Sequence, residues 1–376
     1  MILNMETYNE NSCYHQTSFL DEKGRLRTVK VPVVQELARQ GLKHLPDRFK
    51  RPDSTAFAHH VFEEIPSVNL ATLKEGSESM VRAEELAKLA DAARGLGVFL
   101  IVDHGVPLEV VDGARDVVKS FFKLPFPEKK ACVGTYSEID NMGYGRNFVK
   151  SEDQALDWID RLTFRVAPPL EDDEGLRVWP LKPTNFREAM ERYAREARGV
   201  MDFLLVALAE ALSIESHDVF LKYFHPTDSE IKARVNYYPP CPSPELAMGL
   251  NQHSDASALT ILAQFGSSQG LQVLNKDQTW ITISWPQDQL LVVVGDLLEI
   301  MSNGLVHSTW HRAITNRSAE RGSIALFYSP PPRTLIEPVA AEEETYGEVV
   351  VEDYLRHYYK VVPTMEKIAI NFAKVN

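Results

Sequence analysis

Cysteine is scarce in this 376-residue chain, which holds only Cys13, Cys132 and Cys241. Three thiols so far apart form neither a disulfide framework nor a paired-cysteine zinc motif, so a reducing compartment is the natural setting. Long apolar runs are missing too. The longest resemble "LLVVVG" at 290–295, well short of the roughly 20 residues that a membrane-crossing helix needs. Basic charge is in deficit, with 40 Lys and Arg against 53 Asp and Glu and a net charge of −13. A negative chain does not attract phosphate backbones, which argues against nucleic acid as a partner. The opening "MILNMETYNENS" meets Glu6 and Glu10 before any apolar run forms, unlike a secretory leader. "GYGR" at 143–146 lacks the third glycine and the strand–turn–helix setting of a dinucleotide fingerprint. The expectation is a cytoplasmic monomer whose partner is a small molecule, with no nucleic acid and no membrane.

The composition that is present, 44% apolar and 25% charged, is that of a globular chain able to bury a sizeable core. Helical periodicity marks "VVQELARQG" at 33–41, "RAEELAKLADAARGLG" at 82–97 and "PLEVVDGARDVVKSFFKLP" at 107–125. It also marks a long helix from Phe186 to about Leu212. From about Arg234 the pattern changes to short β-rich runs, "ARVNYY", "ALTILAQF", "GLQVL", "TWITIS", "QLLVVV", "STWHRAIT" and "GSIALFYS", which predict a sandwich or barrel. The layout is α+β. We divide it into an extension at 1–60, an N-terminal region at 61–180, a support helix and linker at 181–228, a β domain at 229–335 and a helical tail at 336–376.

Chemistry concentrates in the β part. "NQHSDASALTIL" places Asp255 two residues after His253, and period-two alternation would put both on one face of a strand. Alone, such a pair is more often a strand-edge feature than a metal site. Further on, "SNGLVHSTWHRAITN" offers a second imidazole. Two histidines and one carboxylate on a β scaffold, with coordination positions left open, suit non-haem Fe(II). His307 and His311 are an even number of residues apart, so alternation cannot choose between them. In "RGSIALF", Arg321 and Ser323 share a face, and a guanidinium fork beside a hydroxyl suits a carboxylate. In "ARVNYYPPCP", Arg234, Asn236 and Tyr238 share a face and Tyr237 points the other way. Phe327 follows Arg321 and Ser323 on their face. Tyr144 and Phe148 belong to a Gly-rich stretch that could form a lid.

These motifs, taken in order, resemble the plant soluble 2-oxoglutarate/Fe(II)-dependent dioxygenases. The likeness extends to "IPSVNL", "GLGVFLIVDHGVPLEVV", "VVVGDLLEIMSNG" and "ALFYSPP". Its nearest branches are those of specialised metabolism, including the rice oxygenases of triketone herbicides and the senescence-related, coumarin-forming and alkaloid-forming oxygenases. The resemblance implies a double-stranded β-helix, or jelly-roll, core with a helical N-terminal region and flanking helices. It implies His253, Asp255 and His311 as catalytic iron ligands, the last chosen over His307 because it precedes Arg312. It implies Arg321, Ser323, Tyr238 and Asn236 around 2-oxoglutarate, and a substrate pocket near Phe327, Arg234, Tyr144 and Phe148. The cofactors implied are Fe(II), 2-oxoglutarate and O2, with ascorbate a candidate reductant. The implied reaction is hydroxylation of a small metabolite, hormone or xenobiotic, yielding succinate and CO2. Desaturation, demethylation and ring formation remain alternatives on the same cofactors, and a non-catalytic binder on the same fold is the alternative of another class. Gly322 departs from the family's usual branched residue and is expected to loosen its strand locally.

Overall fold

Pro107 opens a helix at Leu108–Lys123 that buries Val110, Val111, Ala114, Val117, Val118 and Phe121, the stripe its period predicts. A second helix, Met80–Gly95, and a third, Phe186–Ala211, pack with it on one side of the molecule. The third contributes Met190, Tyr193, Ala197, Met201, Leu204 and Leu208 to the buried interface. This is the computed structural model of the chain, and it describes residues 13–20, 24–51, 61–74, 80–133, 142–145, 149, 151–168, 179–267, 269–340, 343–361 and 368–375. Of Leu20 and Cys132 only the backbone is described. Among these residues, no helix is long and apolar enough to cross a membrane.

The strands, in chain order, begin with a hairpin of β1 (Tyr14–Leu20) and β2 (Leu26–Pro32). Then come β3 (Val61–Phe62), β4 (Ser67–Asn69), β5 (Val98–Val102), β6 (Gly143–Tyr144), β7 (Asp160–Ala167) and β8 (Glu230–Tyr238). The β-rich half supplies β9 (Met248–His253), β10 (Leu259–Gly266), β11 (Leu271–Leu274), β12 (Trp280–Ile283), β13 (Leu290–Val294), β14 (His311–Ile314) and β15 (Arg321–Ser329). A short pair, β16 (Leu335–Ile336) and β17 (Val349–Val350), precedes a C-terminal helix at Val351–Val361. The large sheet runs β4-β5-β13-β10-β15-β8-β7-β6 and the smaller one β3-β12-β11-β14-β9. The two face each other as a jelly roll behind a helical N-terminal region.

Side-chain parity sorts the large sheet into two cores. Leu290, Val292 and Val294 of β13 join the helices, whereas Leu291 and Val293 join residues of the smaller sheet. On β15, Ile324, Leu326 and Tyr328 turn to the helices and Ala325 and Phe327 turn inward. Each fully buried Leu or Val contributes about 1.5–3 kcal/mol. A one-residue slip would exchange the two faces everywhere, so burial on both sides pins the register. That register sets Arg321 opposite Tyr238, Ser323 opposite Asn236 and Ala325 opposite Arg234. Prolines close both strands, Pro239 after β8 and Pro330 after β15.

Gly322 does not loosen its strand, because β15 runs unbroken through it. Its cross-strand partner is Phe265, and a Cβ at Gly322 would lie 2.1 Å from that ring. The absent side chain leaves room for the ring to lie over the strand.

Candidate active site

His253 is the last residue of β9, and Asp255 lies beyond the strand end. Alternation therefore does not bring the two together; the loop does. The loop is fixed by the Asp296 N–H, which donates to the Asp255 carbonyl at 2.7 Å. It is also fixed by the Ser254 hydroxyl, 3.1 Å from Asp296 Oδ2. Gly295 permits this approach, since a Cβ there would meet the Ser257 carbonyl oxygen at 2.0 Å. His311 opens β14 and pairs directly with His253 across the smaller sheet, with ring centroids 4.2 Å apart. His307 lies outside any strand, half exposed, with Nδ1 3.8 Å from Glu299. It takes no part in the cluster.

His253 Nε2 lies 3.9 Å from Asp255 Oδ1, and His311 Nε2 lies 3.7 Å from the same oxygen. One donor atom from each of the three residues falls within 4.8 Å of the others. The Nδ1 atoms are taken up elsewhere, 2.8 Å from the Asn251 carbonyl for His253 and 3.2 Å from the Thr309 carbonyl for His311. Donation from Nδ1 leaves each Nε2 lone pair facing Asp255, as metal-binding imidazoles require. Asp255 Oδ2 accepts the Thr260 hydroxyl at 2.7 Å, which orients the carboxylate. Burial, and then the neighbouring His311, hold His253 well below the usual imidazole range. It is therefore neutral at pH 7 and free to ligate. Two imidazoles and a carboxylate gathered this closely can hold one Fe(II).

The adjoining cavity is lined by Asn236, Tyr238, His253, Asp255, His311, Arg321 and Ser323 among others. Arg321 is 2% exposed, and its guanidinium carbon lies 5.2 Å from the Tyr238 ring centre. Burial lowers its pKa, an effect partly offset by Tyr238. Its Nε and Nη2, together with Asn236 Oδ1, have no hydrogen-bond partner among the described residues. A buried guanidinium with two orphaned donors is costly until an anion meets it. A dicarboxylate with one end at the imidazole cluster and the other at Arg321 and Ser323 fits that need.

A second, larger cavity also reaches His253 and Asp255. Arg234 and Phe327 line both cavities. The far wall carries ion pairs: Arg51 with Asp157 at 2.7 Å and Lys232 with Glu230 at 3.2 Å. Arg234 differs from these cations. It donates to the Thr163 hydroxyl at 3.3 Å, its guanidinium carbon lies 5.4 Å from the centre of the Phe327 ring, and no described carboxylate lies within ion-pair distance. Leu355, Tyr358 and Tyr359 of the C-terminal helix form the roof.

Tyr144 does not belong to this pocket. It is buried in the helix-side core, with ring centroids 4.8 Å from His15 and 5.5 Å from Phe121, and it lines neither cavity. An aromatic ring in a Gly-rich stretch found apolar neighbours there, which is the commoner fate. Phe148 falls outside the described residues. Sequence reasoning missed Thr260, Asp296 and the three roof residues. The only available signal was the aromatic stripe of "VEDYLRHYYK", which periodicity alone assigns to packing.

Two family models match the chain. One, the 2OG-Fe(II) oxygenase superfamily, covers residues 232–330. The other, the non-haem dioxygenase in morphine synthesis N-terminal family, covers 65–185. The chain is 36% identical over 364 residues to the protein lateral branching oxidoreductase 1 of Arabidopsis thaliana, covering 93% of this chain and 97% of that one. It is 33% identical over 341 residues to thebaine 6-O-demethylase of Papaver somniferum, covering 86% and 92%. Its fold matches a crystal structure of JOX2 in complex with 2OG, Fe and JA at a TM-score of 0.79, with 30% identity over 92% of this chain and 98% of that one.

Proposed function

Because the chain belongs to the 2OG-Fe(II) oxygenase superfamily, we propose that His253, Asp255 and His311 hold its iron and that Arg321 and Ser323 hold the far carboxylate of its 2-oxoglutarate. The protein is an Fe(II)- and 2-oxoglutarate-dependent oxygenase acting on a small molecule. The observation that carries the residue assignment is the three-residue donor cluster beside a buried arginine with two unpartnered guanidinium nitrogens. When bound, iron and 2-oxoglutarate supply O2 activation, with succinate and CO2 as co-products. The chain supplies the rest. Arg321 clamps a carboxylate, Tyr238 packs against that clamp, and Asn236 Oδ1 faces the same cavity. Thr260 holds the Asp255 carboxylate at a fixed angle. The roof of Leu355, Tyr358 and Tyr359 keeps bulk water from the reacting centre.

The substrate reading follows from Arg234. It is the chamber's cation without a carboxylate partner among the described residues, and it lies against Phe327 beside the iron ligands. A carboxylic acid with an apolar or aromatic body satisfies both groups. Oxidation of a C–H bond is the outcome, and at a methyl ether the same step ends in demethylation. The test is a panel of small carboxylic acids and their methyl esters, scored by succinate formed in step with loss of compound. A hydrogen bond to a charged group is worth about 1.5–3 kcal/mol, which corresponds to an acid preference in KM of roughly 10- to 150-fold. Arg234→Gln should erase that preference. Esters turned over as well as their acids would remove the reading.

A further inference from the structure

The helix Val351–Val361 that roofs the chamber also reaches the metal loop. The Tyr358 hydroxyl donates to the Ser254 carbonyl at 2.6 Å, in the peptide that joins Ser254 to Asp255. Tyr354, one turn earlier on the same face, donates to Asp296 Oδ2 at 2.6 Å. The same buried carboxylate accepts the Ser254 hydroxyl at 3.1 Å and, through Oδ1, the Ser308 hydroxyl at 2.6 Å. The Asp296 backbone N–H completes the arrangement on the Asp255 carbonyl. One carboxylate thus gathers the loop of one proposed ligand, the segment leading to His311 and the C-terminal helix.

We propose that Tyr358 and Tyr354, the latter through Asp296, are positioning residues for Asp255, so that the helix roofing the substrate chamber also sets the affinity of the metal site. The inference rests on the assignment of Asp255 as a ligand. Asp255 lies past the end of β9, so no strand ladder fixes it. Backbone that must be ordered on binding weakens binding, and a loop ordered beforehand avoids that cost. Partners of metal ligands typically change affinity 10- to 100-fold when removed.

The experiment measures Co(II) affinity of the full-length, metal-free protein against a competing chelator, without turnover. Tyr358→Phe keeps the ring and loses the bond to the loop, and should weaken Co(II) binding about tenfold. Asp296→Asn should weaken it at least as much; if that variant fails to fold, Tyr358→Phe decides alone. Tyr223→Phe is the control. It removes a comparable hydroxyl, bonded to the Glu337 carbonyl at 2.9 Å, and should leave Co(II) affinity unchanged. Wild-type affinity in Tyr358→Phe, alongside loss in Asp255→Ala, would overturn the inference and leave the ligand assignment standing. Equal weakening in both tyrosine variants would also overturn it, because a general loss of stability would then explain the effect. Wild-type affinity in Asp255→Ala would instead remove the ligand assignment itself.

Discussion

Asp255→Ala is expected to lower succinate formation at least about a thousandfold, equivalent to roughly 4 kcal/mol. Asp255 supplies the only anion among the three clustered side chains, and its Oδ1 is the atom that both Nε2 nitrogens face. Without it, two imidazoles remain, with one ligand fewer and no carboxylate oxygen to complete the facial set that suits Fe(II). The variant also leaves the Thr260 hydroxyl without its acceptor on that carboxylate. Asp255→Asn separates charge from shape. It keeps the side-chain volume and should lose most of the same activity. Succinate release and metal content, measured on both variants, check the prediction. Full activity with full iron content in either would place the metal elsewhere.

Arg321→Met should raise the KM for 2-oxoglutarate by roughly 30-fold to several thousandfold, because truncating one member of a buried charge pair costs about 2–5 kcal/mol. The same substitution should act with the opposite sign on the cosubstrate-free protein. There the guanidinium is 2% exposed, faces no described carboxylate and leaves two of its nitrogens unsatisfied. Replacing such a buried charge with an apolar side chain of similar length removes a desolvation cost, and the melting temperature should rise. Arg321→Lys should not restore affinity, since an ammonium offers a point charge where a planar fork is needed. A steady-state KM and a thermal melt without 2-oxoglutarate, taken together, decide it. A lower melting temperature with unchanged KM would mean that Arg321 braces the barrel and binds nothing.

The inner wall of the barrel could be read from the chain because period two carries it. Arg321, Ser323, Ala325 and Phe327 alternate inward, and Arg234, Asn236 and Tyr238 face them across β8 in the observed register. The same rule failed at His253 and Asp255, since the strand stops between them and a loop finishes the geometry. It could not separate His307 from His311, because parity has no meaning for a residue outside the strand. The supports of the site were hidden for another reason. Tyr354 meets Asp296 across 58 residues and Tyr358 meets Ser254 across 104. No local pattern encodes contacts so distant. Tyr144 shows the converse error, in which a short Gly-rich context suggested a lid and tertiary packing placed the ring in the core.

The most direct measurement is an anaerobic titration of the metal-free protein with Fe(II) and then 2-oxoglutarate, followed by visible absorption. A charge-transfer band should grow to one equivalent of each, fail to form in Asp255→Ala, and require far more 2-oxoglutarate in Arg321→Met. A band of full intensity in Asp255→Ala, or none in the unaltered protein, would contradict the assignment of these side chains to iron and its cosubstrate.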